Sequence, residues 1–341
     1  MNQFQIAISA DLITKEGKPC FDGALLKEVT DRPDFSVTIL PEGKTDITKQ
    51  DADTYDALYL MLETLSTDSV STPGLRLKLA ARHGVGFDTV DVPGMTSHGV
   101  MVTNTPHAVR RPVATMAVTL LLALSHKLII KHQNTRAGLW AQNADHMGVG
   151  LTGKTLGVLG AGSIGSEILR MMSPFDMKLI ACDPHVSDDY LQSLGTTKVE
   201  SDAFFAQADF VIVATSLSAQ TRHLVNADRL KLMQPHASLI NVARGSVIKE
   251  SDLIDALQSG DISAAALDVF EQEPVSLDNP LLSMDNVITT SHSLCWTDEC
   301  FYNIARDGLG SIIAFADKDL PQFIVDRSVC NHERQRAWFA R

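Results

Sequence analysis

Thr155-Leu156-Gly157-Val158-Leu159-Gly160-Ala161-Gly162-Ser163-Ile164-Gly165-Ser166-Glu167-Ile168-Leu169-Arg170-Met171-Met172 decides the fold. A short apolar run, Thr155–Leu159, is followed by glycines in G-x-G-x-x-G spacing and then by a helical stretch. A lone glycine triplet says little, but strand, glycines and helix in this order are the context a dinucleotide site requires. Gly160 would make the tight turn, Gly162 would let the backbone approach a pyrophosphate, and Gly165 would let helix and strand pack closely. The pyrophosphate would rest on the helix N-terminus at Ser163 and Ile164, where unpaired N–H groups and the helix dipole favour an anion. Eighteen residues beyond Gly165, at the end of the next apolar run, stands Asp183. A carboxylate there accepts hydrogen bonds from ribose hydroxyls and repels a 2′-phosphate, which points to NAD rather than NADP.

On either side of this stretch the chain alternates β-like runs with helical ones. Before it lie Ile6–Ser9, Val37–Leu40, Ala57–Met61, Leu77–Arg82 and Val100–Thr103. After it come Leu179–Cys182, Phe210–Val213, Ser238–Val242, Ala264–Leu267 and Val287–Thr290. Runs this short and this apolar suit parallel strands buried on both faces with helical crossovers between them. Asn104-Thr105-Pro106 punctuates the two series, since the residue before proline is driven toward extended geometry. One long helix is expected from Pro112 to about Gln133, with proline in its first turn, and another from Thr297 to about Phe315. Asn331–Arg341 is polar and basic with two aromatics, and reads as a docking tail or a frayed end.

With 341 residues, two domains are expected. The charge sum of 29 Lys and Arg against 41 Asp and Glu is −12. An acidic chain lacks the basic stripe that phosphate backbones need, which disfavours nucleic acid and anionic membranes as partners. The five cysteines are odd in number and lack CxxC spacing, so a reduced, cytoplasmic protein without a metal framework is expected. Residues 1–12 show neither the basic start nor the apolar run of a secretory signal.

Three further features each follow a predicted strand: Asn241-Val242-Ala243-Arg244-Gly245, Asp268-Val269-Phe270-Glu271-Gln272-Glu273-Pro274, and Thr290-Ser291-His292-Ser293. In open α/β sheets, residues just past the strand carboxyl ends line the ligand crevice. Arginine, glutamate and histidine converging there suit the interconversion of a 2-hydroxy acid and a 2-oxo acid. The planar guanidinium of Arg244 can fork onto a carboxylate. His292 has the pKa to take and return a hydroxyl proton, and Glu273 beside it would favour the charged imidazole and orient it.

Together GAGSIG, Asp183, NVARG, DVFEQEP and SHS resemble the D-2-hydroxyacid dehydrogenase family, in its phosphoglycerate-dehydrogenase-like branch. The likeness extends through Arg82-His83-Gly84-Val85-Gly86-Phe87-Asp88, Asn104-Thr105-Pro106 and Thr221-Arg222-His223-Leu224. The resemblance implies Arg244, Glu273 and His292 as the catalytic set. It implies an NAD site of Gly160, Gly162, Ser163, Ile164, Gly165, Asp183, Thr215, Val242, Ala243, Arg244, Asp268 and His292, with Asp268 on the carboxamide. Gly84, Val85 and Gly86 would offer N–H groups to the substrate carboxylate beside Arg244. The implied architecture is two doubly wound parallel-sheet domains. A Rossmann domain, 104–293, would be inserted into a flavodoxin-like substrate domain formed by 1–103 and 294–330, leaving 331–341 as a tail. The active site would lie at their interface, and homodimers through the nucleotide domain would be usual.

Some positions depart from the family pattern: Ser291 stands where proline is usual before the histidine, Ser216 where many relatives have proline, and His107 where a small residue is common. Arg110 and Arg111, at a helix N-terminus where cations oppose the dipole, are either solvated surface charges or reach a second polar part of the substrate. Trp296 either walls the substrate pocket or packs the final helix. His83, His98, His126, His132, His146 and His223 are read as structural or surface residues. Relatives that act as NAD(H)-sensing transcriptional corepressors keep the same fold and triad, so an interaction protein is the alternative function. The sequence carries no long regulatory extension that would favour it. A formate-dehydrogenase-like reaction is disfavoured, because it has no need for the acid that Glu273 supplies.

Overall fold

The five apolar runs before residue 104 become five parallel strands, β1 (Phe4–Ile8), β2 (Phe35–Ile39), β3 (Ala57–Leu60), β4 (Leu79–Arg82) and β5 (Met101–Thr103). The computed structural model describes residues 3–340. The sheet order is β2-β1-β3-β4-β5, with Ile6 paired to Val37 on one side and Ala57 on the other. This is the flavodoxin-like order, in which the strand sequence reverses between β1 and β3. Every residue of β3 and β4 is buried, as expected where helices cover both faces. Helices Gly23–Thr30 and Asp298–Ala316 pack together on one face, and Gly308 lies so close to the Tyr59 ring that a Cβ would come within 2.5 Å of it. The other face is covered by a cluster that includes Leu58, Leu60, Leu65, Val70 and Met95.

The second series forms seven parallel strands: β6 (Thr155–Leu159), β7 (Lys178–Cys182), β8 (Thr196–Lys198), β9 (Phe210–Val213), β10 (Ser238–Asn241), β11 (Ala264–Leu267) and β12 (Val287–Thr289). Their order, β12-β11-β10-β9-β6-β7-β8, reverses between β6 and β9, which is the Rossmann switch point. Strand β8 is absent from the sequence-based expectation. It is three residues long, polar and at the sheet edge, so it carries no apolar signal.

The chain divides into two compact units, Met1–Val109 with Trp296–Arg341, and Arg110–Cys295. The divisions fall a few residues beyond the expected 103/104 and 293/294. Residues 331–341 were expected to form a separate tail, and here the structure differs. Helix Glu333–Phe339 belongs to the first unit: Trp338 stacks on Phe315 with centroids 5.5 Å apart, and its Nε1 donates to the Phe315 carbonyl at 3.1 Å. Gln335 donates to the carbonyls of Lys78 and Gly99, and Arg334 to those of Leu75, Leu77 and His98. Of the docking and frayed alternatives the segment takes the docked one, its polar side chains serving strand-end carbonyls rather than water.

The expected helix Pro112–Gln133 is likewise two helices, Arg110–Ser125 and Leu128–Arg136, bent by 59°. Lys127 between them is left-handed at φ 52°, and the Ser125 carbonyl accepts the Val149 N–H at 2.7 Å instead of continuing the helical ladder. Among the described residues no single helix is long and apolar enough to cross a membrane.

Candidate active site

The carboxyl ends of β6, β7 and β9 build a cradle in the second unit. Gly160 has φ 90°, and a Cβ on it would sit 2.7 Å from the Thr215 backbone, so the first glycine both turns the chain and admits the neighbouring loop. A Cβ on Gly165 would lie 2.0 Å from the Gly160 carbonyl oxygen, so only glycine allows the helix to start this close to the strand. Gly162, by contrast, faces open space, as a residue under a pyrophosphate must. Helix Ser163–Met172 begins there without a side-chain cap, and its first N–H groups are available to an anion. Asp183, after β7, accepts the Ala161 N–H on Oδ2 and the His185 N–H on Oδ1, both at 2.8 Å. It thereby ties its own loop to the glycine loop. A groove of about 410 Å³ runs alongside, lined by Arg110, Gly162, Ser163, Arg170, His185 and Tyr190. Glycine turn, open approach, helix N-terminus and adjoining groove fit a dinucleotide.

The next three strand ends carry Arg244, Glu273 and His292, the side chains that the sequence singled out. Val242 and Ala243, nearly buried, follow β10, and Asn241 fixes the turn by accepting the Ala243 N–H and donating to the Arg244 carbonyl. Glu273 and His292, nineteen residues apart, meet at 2.7 Å between Oε2 and Nδ1. The Glu273 hydrogen bond raises the pKa of His292 above its ordinary value, against burial, which lowers it. Burial pushes Glu273 the other way, yet the His292 bond and the Phe270 N–H hold its carboxyl below the usual value. The Arg244 charge acts on both, lowering each.

Asp268, after β11 and almost wholly buried, has a task that the sequence did not suggest. Its Oδ1 accepts the Thr290 hydroxyl at 2.5 Å and the N–H groups of Ser293 and Leu294 at 3.2 Å, and its carbonyl accepts the His292 N–H at 2.7 Å. It therefore clamps the turn that presents His292, which is itself left-handed at φ 53°. His223, read from sequence as structural or surface, contacts Glu271 through Nε2, and the Glu271 backbone N–H donates to the Glu250 carboxylate. The loop after β9 is thus joined to the loop that carries Glu273.

Gly84, Val85 and Gly86 belong to the first unit. Their carbonyls are taken by Thr105 N–H, Asn104 Nδ2 and Arg82 Nε respectively, which fixes the loop through its acceptors. His83 beside them is buried, bonded through Nδ1 to the Tyr59 hydroxyl at 2.6 Å, and burial pushes its pKa down to about 3. It is a neutral core histidine. Trp296, half exposed, meets the Phe301 ring edge-on at 5.1 Å, in keeping with packing of the final helix. Arg110 and Arg111 are both drawn to Glu167 on the glycine-loop helix, a partner that spacing alone could not reveal.

Residues 118–293 match the family model of the D-isomer specific 2-hydroxyacid dehydrogenase NAD binding domain. A glyoxylate reductase of Thermococcus onnurineus is 35% identical over 282 residues, covering 81% of this chain and 84% of that one. A D-3-phosphoglycerate dehydrogenase of Synechocystis is 36% identical over 253 residues, 74% of this chain and 45% of its own. The chain spans about half the length of the phosphoglycerate dehydrogenases it matches. Among solved structures, D-lactate dehydrogenase from Aquifex aeolicus complexed with NAD and lactic acid superposes with a TM-score of 0.82 at 26% identity. That match covers 94% of this chain and 98% of the other. A Rossmann sheet with a dinucleotide cradle defines a nucleotide-binding α/β protein. More particularly, the chain belongs to the D-isomer-specific 2-hydroxyacid dehydrogenase family, and its cradle is that family's NAD site.

Proposed function

We propose that this protein is an NAD-dependent dehydrogenase that interconverts a D-2-hydroxy acid and its 2-oxo acid. His292 is the acid/base, Glu273 its partner, and Arg244 the ligand of the substrate carboxylate. The observation that carries this reading is the 2.7 Å bond between His292 Nδ1 and Glu273 Oε2, with the Arg244 charge acting on both. NAD, when bound, exchanges hydride through its nicotinamide ring. Because Glu273 engages Nδ1, Nε2 is the atom that holds the proton going to or from the substrate oxygen. Asp268 supports the turn on which that proton sits. The relatives named glyoxylate reductase and D-lactate dehydrogenase make glyoxylate and pyruvate the first acids to test.

The test is NADH absorbance with a panel of 2-oxo acids. Turnover with at least one supports the reading. Tight NADH binding without turnover on any would overturn it in favour of an NAD(H)-sensing interaction protein.

The pH dependence has a definite sign. Reduction needs the imidazolium, and Glu273 raises its pKa, so kcat/KM for reduction falls as pH rises through a midpoint above the ordinary histidine value. Oxidation rises over the same range. In Glu273→Gln the supporting charge is gone while burial still lowers the pKa, so the reduction profile moves to lower pH. An unshifted profile would show that Glu273 does not set it.

A homodimer through the second unit belongs to the same proposal. Leu128, Ile129, Leu139, Trp140 and Met147 are exposed within one short stretch, Trp140 at 69% and Met147 at 72%. Clustered apolar exposure of this kind marks an interface. Sedimentation should give twice the mass of one chain, and Trp140→Asp should shift it toward the monomer. A wild-type monomer would sink this part. Cysteines without CxxC spacing support the cytoplasm as the compartment.

A further inference from the structure

An acidic chain that binds an anionic cofactor needs local positive charge, and the structure assembles some next to the glycine loop. Glu167, in the second turn of helix Ser163–Met172 and 11% exposed, gathers three arginines: Arg111 at 2.8 Å, Arg170 at 3.2 Å and Arg110 at 3.8 Å. One carboxylate offsets one guanidinium, so the cluster keeps an excess of about two positive charges. Arg110 and Arg170 line the 410 Å³ groove beside Gly162 and Ser163. Arg170 is further braced by its Nη2 bond to the hydroxyl of Tyr190 at 2.9 Å, a groove-lining residue on helix Asp188–Ser193. Arg110 and Arg111 open helix Arg110–Ser125, where the dipole repels cations. That placement is stabilised by Glu167 and would be stabilised further by an anion in the groove. Two of the residues are far apart in sequence, and neither belongs to the glycine motif.

We infer that Arg110 and Arg170 are cationic ligands of the cofactor's 5′-diphosphate, with Glu167 as a partial counter-charge whose nearest partner is Arg111. The inference rests on the NAD reading and adds side-chain charge to a cradle otherwise made of backbone N–H groups. It also gives Arg110 a role different from the substrate contact considered from sequence.

Calorimetric binding of ADP, adenosine and adenosine 2′,5′-bisphosphate to the full chain tests it without any turnover. Arg110→Ala and Arg170→Ala are each expected to weaken ADP about three- to tenfold, the range for partly exposed charge-assisted contacts. Adenosine binding should be unchanged, and the salt dependence of ADP binding should become shallower. Arg170→Lys should recover part of the loss. Glu167→Gln is the discriminating variant: it removes a negative charge beside the phosphates, so ADP should bind at least as tightly as to the wild type. If the cluster only braces the helix, Glu167→Gln weakens ADP as the arginine variants do, and the inference falls. It also falls if the double arginine variant binds ADP normally, if adenosine weakens equally, or if the 2′,5′-bisphosphate loses more than ADP. Wild-type protein that binds none of these nucleotides would instead remove the NAD reading itself.

Discussion

Replacing His292 with glutamine is expected to lower kcat for 2-oxo acid reduction by about 10²–10⁴, the usual contribution of a positioned acid/base. NADH affinity should change little. Glutamine retains a hydrogen-bonding side chain beside Glu273 but cannot deliver a proton near neutral pH, so the loss isolates proton transfer from positioning. The turn itself is held from outside the imidazole, by Asp268 through Thr290, Ser293 and Leu294. The variant should therefore fold, and its thermal transition checks that it does. Turnover surviving within about tenfold would remove His292 from the role, because a proton donor in the transition state is worth more than that.

Arg244→Ala carries the second largest expectation: a fall in kcat/KM for the 2-oxo acid of about 10²-fold or more, from the loss of a charge-assisted, two-pronged carboxylate contact. Arg244→Lys keeps the charge but loses the planar fork, and should recover only part of the activity. The pH profile supplies an independent signature. The Arg244 charge lowers the His292 pKa, so its removal moves the reduction profile to higher pH, opposite to the shift expected for Glu273→Gln. A normal KM together with an unmoved profile would falsify the assignment.

Much of this site was legible along the chain because its logic is local. Gly160, Gly162 and Gly165 each answer a steric demand within one strand–turn–helix unit, and their three environments match the three demands. Arg244, Glu273 and His292 follow separate strands, and parallel strands deliver their carboxyl ends to one edge. Order along the sequence therefore sufficed to place them near one another. The strand runs were readable for a related reason: strands buried on both faces leave continuous apolar stretches, whereas the polar edge strand β8 does not.

Other features were out of reach because their partners are distant in sequence. Glu167 meets Arg110 and Arg111 from 57 and 56 positions away, and His223 meets Glu271 across 48. Nothing in composition marks such pairs. The break at Lys127 was hidden because the Ser125 carbonyl is claimed by Val149, a tertiary contact that overrides helix propensity. At the polar end of the chain, docking and fraying stayed open because the hydrogen-bonding side chains give no sign that they serve strand carbonyls.

By itself, then, the sequence determined a doubly wound α/β chain with an NAD cradle, and it singled out Arg244, Glu273 and His292, the side chains proposed for the chemistry. These depend on backbone sterics, strand burial and motif order, all written within short spans. Tertiary structure alone decided the clamp by Asp268, the arginine cluster at the groove and the docked C-terminal helix. Each depends on distance in space, since charge and hydrogen bonding act over a few ångströms regardless of separation along the chain.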